Sequence, residues 1–85
     1  MVVIRNVIWT RKFEHELRKV KDKELKARVK KRIEEIVRNP EIGKPLRFEL
    51  KGERSIHIAH YRLIYAVQGD TLYLLRFEHR EEVYR

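Results

Sequence analysis

Cysteine is absent from these 85 residues, which excludes a disulfide framework, a thiolate nucleophile and a Cys-ligated zinc. Glycine occurs only at Gly43, Gly52 and Gly69, so the chain has no glycine-rich phosphate loop. Serine occurs once, as Ser55, without the flanking pattern of a nucleophile elbow. Nucleotide-dependent enzymes and acyl hydrolases are therefore poor fits. No HxH or HExxH spacing comes with a third carboxylate ligand, so no metal and no cofactor are expected. Long hydrophobic runs are also missing: residues 63–67 are the longest kind present, far too short to span a bilayer. Met1-Val2-Val3-Ile4-Arg5 lacks the apolar core and cleavage site of a signal peptide. The expectation is one soluble, cytoplasmic domain over residues 1–85, with no membrane partner.

What the chain does have is charge. Lysine and arginine number 21 against 13 acids, giving a formal charge of +8 and a pI near 10.0. A small domain this basic suits a polyanion, nucleic acid first. The charge is uneven: residues 1–42 carry 13 bases and 7 acids, while residues 43–85 carry 8 and 6. Apolar residues make up 42% and recur periodically, enough for a small core.

Residues 2–9 are largely β-branched or aromatic and read as a strand. Thr10 suits an N-cap, followed by Phe13, Leu17 and Val20 at helical spacing. Asp22 suits a second cap, after which Leu25, Val29, Ile33, Ile36 and Val37 share one face until Asn39-Pro40 ends the helix. A link this short joins the helices into an antiparallel hairpin. The period then changes to two. Leu46, Phe48 and Leu50 alternate with Arg47, Glu49 and Lys51, and Ile56 and Ile58 alternate with Ser55 and His57. Residues 61–67 are apolar except for Arg62, as in a central strand covered on both faces. Gln68-Gly69-Asp70-Thr71 reads as a hairpin turn into a last strand over residues 71–77. The order β-α-α-β-β-β-β indicates an α+β fold, with the helical hairpin on one face of a mostly antiparallel sheet and the other face open for binding.

Arg62 is the most informative residue. Unpaired within a buried strand it would be strongly destabilising, so it either pairs with Glu49, Glu53 or Glu78 or reaches a surface that takes an anion. Arg47, Lys51, Arg62, His79, Arg80 and Tyr84 all come from the strands or the tail, and supply cations and proton donors suited to developing phosphate charge. On the second helix Lys30 and Lys31, among other bases, could grip a phosphate backbone. The alternative is a solvated face supported by pairs such as Lys30 with Glu34.

Gly43-Lys44-Pro45-Leu46, Tyr61-Arg62-Leu63-Ile64-Tyr65-Ala66-Val67 and His79-Arg80-Glu81-Glu82-Val83-Tyr84-Arg85 together resemble the RelE/ParE toxin superfamily. The likeness covers nearly the whole chain; the segment from Gly43 is most similar to the YoeB branch. The resemblance implies a RelE-like microbial RNase fold and the toxin of a type II toxin–antitoxin system. It implies a ribosome-dependent messenger RNA endoribonuclease that works without metal by 2′-hydroxyl attack on the adjacent phosphate. An acidic cognate antitoxin would silence it in a hetero-oligomer, with the ribosome and mRNA as its other partners. By the same resemblance Arg62 holds the scissile phosphate and Arg47 supports it. His79, Arg80 and Tyr84 match the C-terminal catalytic segment, with His79 the best proton-transfer candidate. The chain departs from the family at the base. Lys44 falls near the YoeB-branch glutamate, and Ser55 and His57 fall near the paired lysines of RelE proper, which leaves His57 or Lys51 as base. Two other outcomes are consistent with the likeness: a ParE-type toxin that poisons DNA gyrase and cleaves nothing, or a catalytically degenerate member.

Overall fold

The computed structural model describes residues 2–46 and 52–79. Its elements are β1 (Asn6–Trp9), α1 (Arg11–Arg18), α2 (Lys23–Arg38), β2 (Lys44–Pro45), β3 (Glu53–Ile58), β4 (Tyr61–Gln68) and β5 (Thr71–His79). The expected β-α-α-β-β-β-β order is the one observed. One sheet carries the strands in the order β1-β5-β4-β3-β2, so β4 is central, as its apolar run indicates. The β1–β5 pair is parallel and the other three pairs are antiparallel.

Both helices begin where capping chemistry starts them. The Thr10 hydroxyl accepts from the Phe13 N–H at 3.2 Å and donates to the Leu74 carbonyl at 2.7 Å, tying the start of α1 to β5. The Asp22 carboxylate accepts from the N–H groups of Glu24 and Leu25. The α1 helix lies against β5 and α2 against β3. Phe13, Val20, Leu25, Val29, Ile33 and Ile36 meet Ile56, Ile58, Leu63, Tyr65, Leu72, Leu74 and Phe77 in one core.

Two strands differ from the sequence expectation. β1 starts at Asn6 rather than Val2, because Asn6 already pairs with Thr71, the first residue of β5. Upstream, the Arg5 N–H bonds to the Asp70 carbonyl in the hairpin turn, where no strand remains to pair with. The expected strand around Leu46, Phe48 and Leu50 is observed only at its start: Lys44 and Pro45 pair with Ser55 and Arg54, and residues 47–51 lie outside the described residues.

The β3–β4 and β4–β5 hairpins each close through two residues. Gly69 takes a φ of 63°, the left-handed value such turns require. In the other hairpin Ala59 adopts a φ of 55°, at a steric cost that glycine would avoid.

Candidate active site on the polar sheet face

Cross-strand register sorts the candidate residues by face. Residues paired side by side point the same way, and alternate residues point oppositely. Ile56, Leu63 and Phe77 form one row, which belongs to the core beneath the helices. The next row, His57, Arg62 and Glu78, therefore lies on the opposite face. Lys44, Ser55, Ile64 and Arg76 form a parallel row on that same face. The structure thus brings Arg62, His57 and Lys44 onto one face of the sheet.

It does not bring His79 there. A register shift opposite Ile64 and Tyr65 pairs Ile64 with Arg76 and Tyr65 with Leu74, leaving Leu75 as an extra residue in β5. This bulge reverses the alternation beyond it. Phe77 and His79 turn toward the helix side, and Arg76 and Glu78 turn to the polar face. The His79 ring sits edge-on to Tyr61 at 4.9 Å and stacks on His60 at 6.5 Å. With Glu16, Lys19, Val20 and Tyr61 it lines a crevice between the sheet and the end of α1. Lys30 and Lys31 are exposed on α2, the layer that covers the other side of the sheet, so they stand apart from Arg62. The ion pair formed on that helix is Arg32 with Glu35. Arg47, Lys51, Arg80 and Tyr84 lie outside the described residues.

The face away from the helices is not the bare surface that the element order implies. Ile64 is 0% exposed, and the Arg62 Nε atom is buried without a hydrogen-bond partner among the described residues. An ion-pair network lies across the face. Arg62 Nη2 stands 3.3 Å from Glu78 Oε1, Arg76 Nε stands 3.7 Å from Glu78 Oε2, and Arg76 Nη2 donates to Glu53 Oε1 at 2.6 Å. All four side chains are 20–25% exposed. Of the two described carboxylates weighed for Arg62, Glu78 is therefore its partner, and Glu49 lies outside the described residues. Arg76 was not singled out from sequence. An arginine within an apolar strand is the same signal that marked Arg62, and could have found it.

On the helix side of the sheet a buried tyrosine fixes the loop that leads into Lys44. The Tyr65 hydroxyl donates to the Pro40 carbonyl at 2.7 Å and accepts from the Gly43 N–H at 2.9 Å. Burial pushes the phenol pKa above its ordinary value of 10.0, against the lowering pull of the Gly43 bond and the Arg54 charge. Gly43 permits this approach, since a Cβ there would lie 2.8 Å from the Tyr65 hydroxyl and 2.9 Å from the Ser55 carbonyl. Among the described residues no group of three or more His, Asp or Glu side chains is placed to hold a metal ion. No helix among them is long and apolar enough to cross a membrane.

Comparison with known proteins places this geometry. The family model described as ParE toxin of type II toxin–antitoxin system, parDE, matches residues 7–84. The chain is 44% identical over 46 residues to toxin RelG of Mycobacterium tuberculosis, a match covering 52% of this chain and 53% of that toxin. It thus spans about half the length of this curated relative. Its fold superposes on the RelBE2 toxin–antitoxin complex of M. tuberculosis with a TM-score of 0.77 and 34% identity, covering 92% of this chain and all of that one. The RelB–RelE antitoxin–toxin complex of Methanococcus jannaschii shares the fold, with a TM-score of 0.74 and 23% identity over 91% of this chain and 94% of that one. A caged arginine on a half-buried polar sheet face, in a fold shared with solved toxins and matched by a family model along almost its whole length, fits one conclusion: the chain belongs to the RelE/ParE family of type II toxin–antitoxin toxins.

Proposed function

We propose that this toxin is a ribosome-dependent endoribonuclease of messenger RNA. The observation that supports this reading is the row His57–Arg62–Glu78, which sets a cation between a titratable imidazole and a carboxylate on one sheet face. The Arg62 guanidinium holds the scissile phosphate and neutralises charge as the phosphorane forms. A base takes the proton from the ribose 2′-hydroxyl, whose oxygen attacks the phosphorus. The bond to the 5′-oxygen breaks, and an acid protonates that oxygen. The products are a 2′,3′-cyclic phosphate and a 5′-hydroxyl. His57, paired directly with Arg62, is the proton-transfer group on this face. Arg80 and Tyr84 complete the set that family likeness assigns; His79, which that likeness also assigns, lies on the helix side of the sheet. The experiment is to label the RNA fragments with polynucleotide kinase without prior phosphatase treatment. Direct labelling shows 5′-hydroxyl ends; ends that need phosphatase first contradict the mechanism.

The partner follows from charge and from the relatives. RelBE2 and RelB–RelE are complexes of a toxin with its antitoxin, and this chain carries +8 with Val7, Ile8 and Trp9 exposed on an edge strand. An acidic antitoxin with an apolar segment would be steered to it and bury those side chains. Co-expression of an acidic cognate antitoxin should restore growth, and failure to neutralise would remove the partner from the account.

The ParE description of the matching family model favours a second reading, a toxin that poisons DNA gyrase. Inhibition of supercoiling by the purified chain, with an intact message in a translating extract, would establish it.

A further inference from the structure

Two arginines, not one, point at the same carboxylate. Arg62 on β4 and Arg76 on β5 approach opposite oxygens of Glu78, at 3.3 Å and 3.7 Å. Both distances exceed the 2.7–2.9 Å of a well-made charge-assisted bond. The contact of Arg76 with Glu53, at 2.6 Å, is a tight one. Glu53 therefore anchors the Arg76 head across β4 and leaves its Nε edge turned to Glu78. The carboxylate is shared by two guanidiniums and closely held by neither. A guanidinium fork binds carboxylate and phosphate oxygens with the same geometry, so Glu78 occupies a position that suits an RNA phosphate.

We propose that Arg76 is a second phosphate-binding residue beside Arg62, and that Glu78 is the internal anion holding this two-arginine site until an RNA phosphodiester replaces it. The proposal rests on the reading of the chain as an RNA-cleaving toxin and adds to it a ligand residue and an internal competitor. With Glu78 in place the four charges of the network cancel. Once its carboxylate swings out, Arg62 is unneutralised while Arg76 stays fixed by Glu53. The site then offers one net positive charge through two oriented forks. Glu78 also keeps the half-buried Arg62 from standing uncompensated when no RNA is bound.

The test is binding of a short single-stranded RNA carrying 2′-O-methyl on every ribose, which cannot be cleaved by 2′-hydroxyl attack, followed by fluorescence anisotropy at fixed salt. Glu78→Gln keeps the side chain's shape and should tighten binding at least about tenfold, the scale of one charge-assisted contact. Glu34→Gln, an exposed position on α2, makes the same change in net charge and should alter binding less than about threefold, by screened long-range attraction only. Adding Arg76→Gln to Glu78→Gln should abolish the gain. Arg76→Lys replaces it if that double variant does not fold, and should lose most of the gain because the fork is gone. Equal effects of Glu78→Gln and Glu34→Gln, a gain that survives loss of the Arg76 fork, or no RNA binding by any variant would overturn the proposal. Cleavage in a translating extract is scored separately. The expected binding pattern in a chain that never cuts message would leave the two-arginine site standing and remove the ribonuclease reading.

Discussion

Arg62 of β4 and Glu78 of β5 face one another across the sheet, with Nη2 3.3 Å from Oε1. The pair answers the question posed by a cation inside an apolar strand: the charge is compensated on the face away from the helices. A compensated arginine within reach of solvent can exchange its partner for another anion, which a fully buried ion pair cannot.

Removing the guanidinium tests that role. Arg62→Ala should reduce RNA cleavage by at least about a hundredfold, the usual loss for a group that stabilises transition-state charge, and should relieve growth arrest. Its circular dichroism spectrum should stay that of the parent, because Glu78 keeps Arg76 as a neighbour.

The two histidines separate by face. His57→Gln should lower cleavage by about a hundredfold or more, the contribution of a positioned acid or base. His79→Gln should cost less than about tenfold, since its ring packs beside Tyr61 and His60 on the helix side. A single-turnover rate for each variant, measured with its melting temperature, checks the order.

This order departs from what the sequence suggests, and the cause is one residue. Element order, both helix caps and the central strand follow from local signals: capping side chains at Thr10 and Asp22, a 3.6-residue period, then a period of two. The facing of β5 does not. Leu72 and Leu74 point to the core, and strict alternation would carry Arg76 and Glu78 into it as well. The extra residue at Leu75 resets the pattern, and such a bulge is decided by pairing with β4, which sequence spacing does not encode. Sequence leaves the partner of Arg62 open for the same reason, since spacing alone ranks no glutamate first; the register sets Glu78 beside it.

Tyr65 predicts a pH dependence. Burial raises the folded-state phenol pKa above the ordinary 10.0, so the folded chain binds this proton more tightly than the unfolded one. The contribution is fully present below about pH 10 and falls as pH rises from there through the folded-state value. Thermal melts between pH 8 and 11 should show this loss, and Tyr65→Phe should remove the part due to the phenol. At neutral pH the same variant should lose about 1–3 kcal/mol, because the Gly43 N–H and Pro40 carbonyl are left without it.

Ala59 holds a left-handed φ of 55° in the β3–β4 turn. Ala59→Gly should stabilise the chain by up to about 1 kcal/mol, the relief of the Cβ clash less the entropy glycine loses on folding. A lower melting temperature for this variant would contradict the assignment of strain to that turn.

The most direct test of the account is primer extension along a reporter message in a translating cell extract, comparing the parent chain with a folded Arg62→Ala variant. The account predicts cuts at ribosome-positioned codons with the parent and none with the variant. An uncut message with the parent, or undiminished cutting with Arg62→Ala, would contradict it.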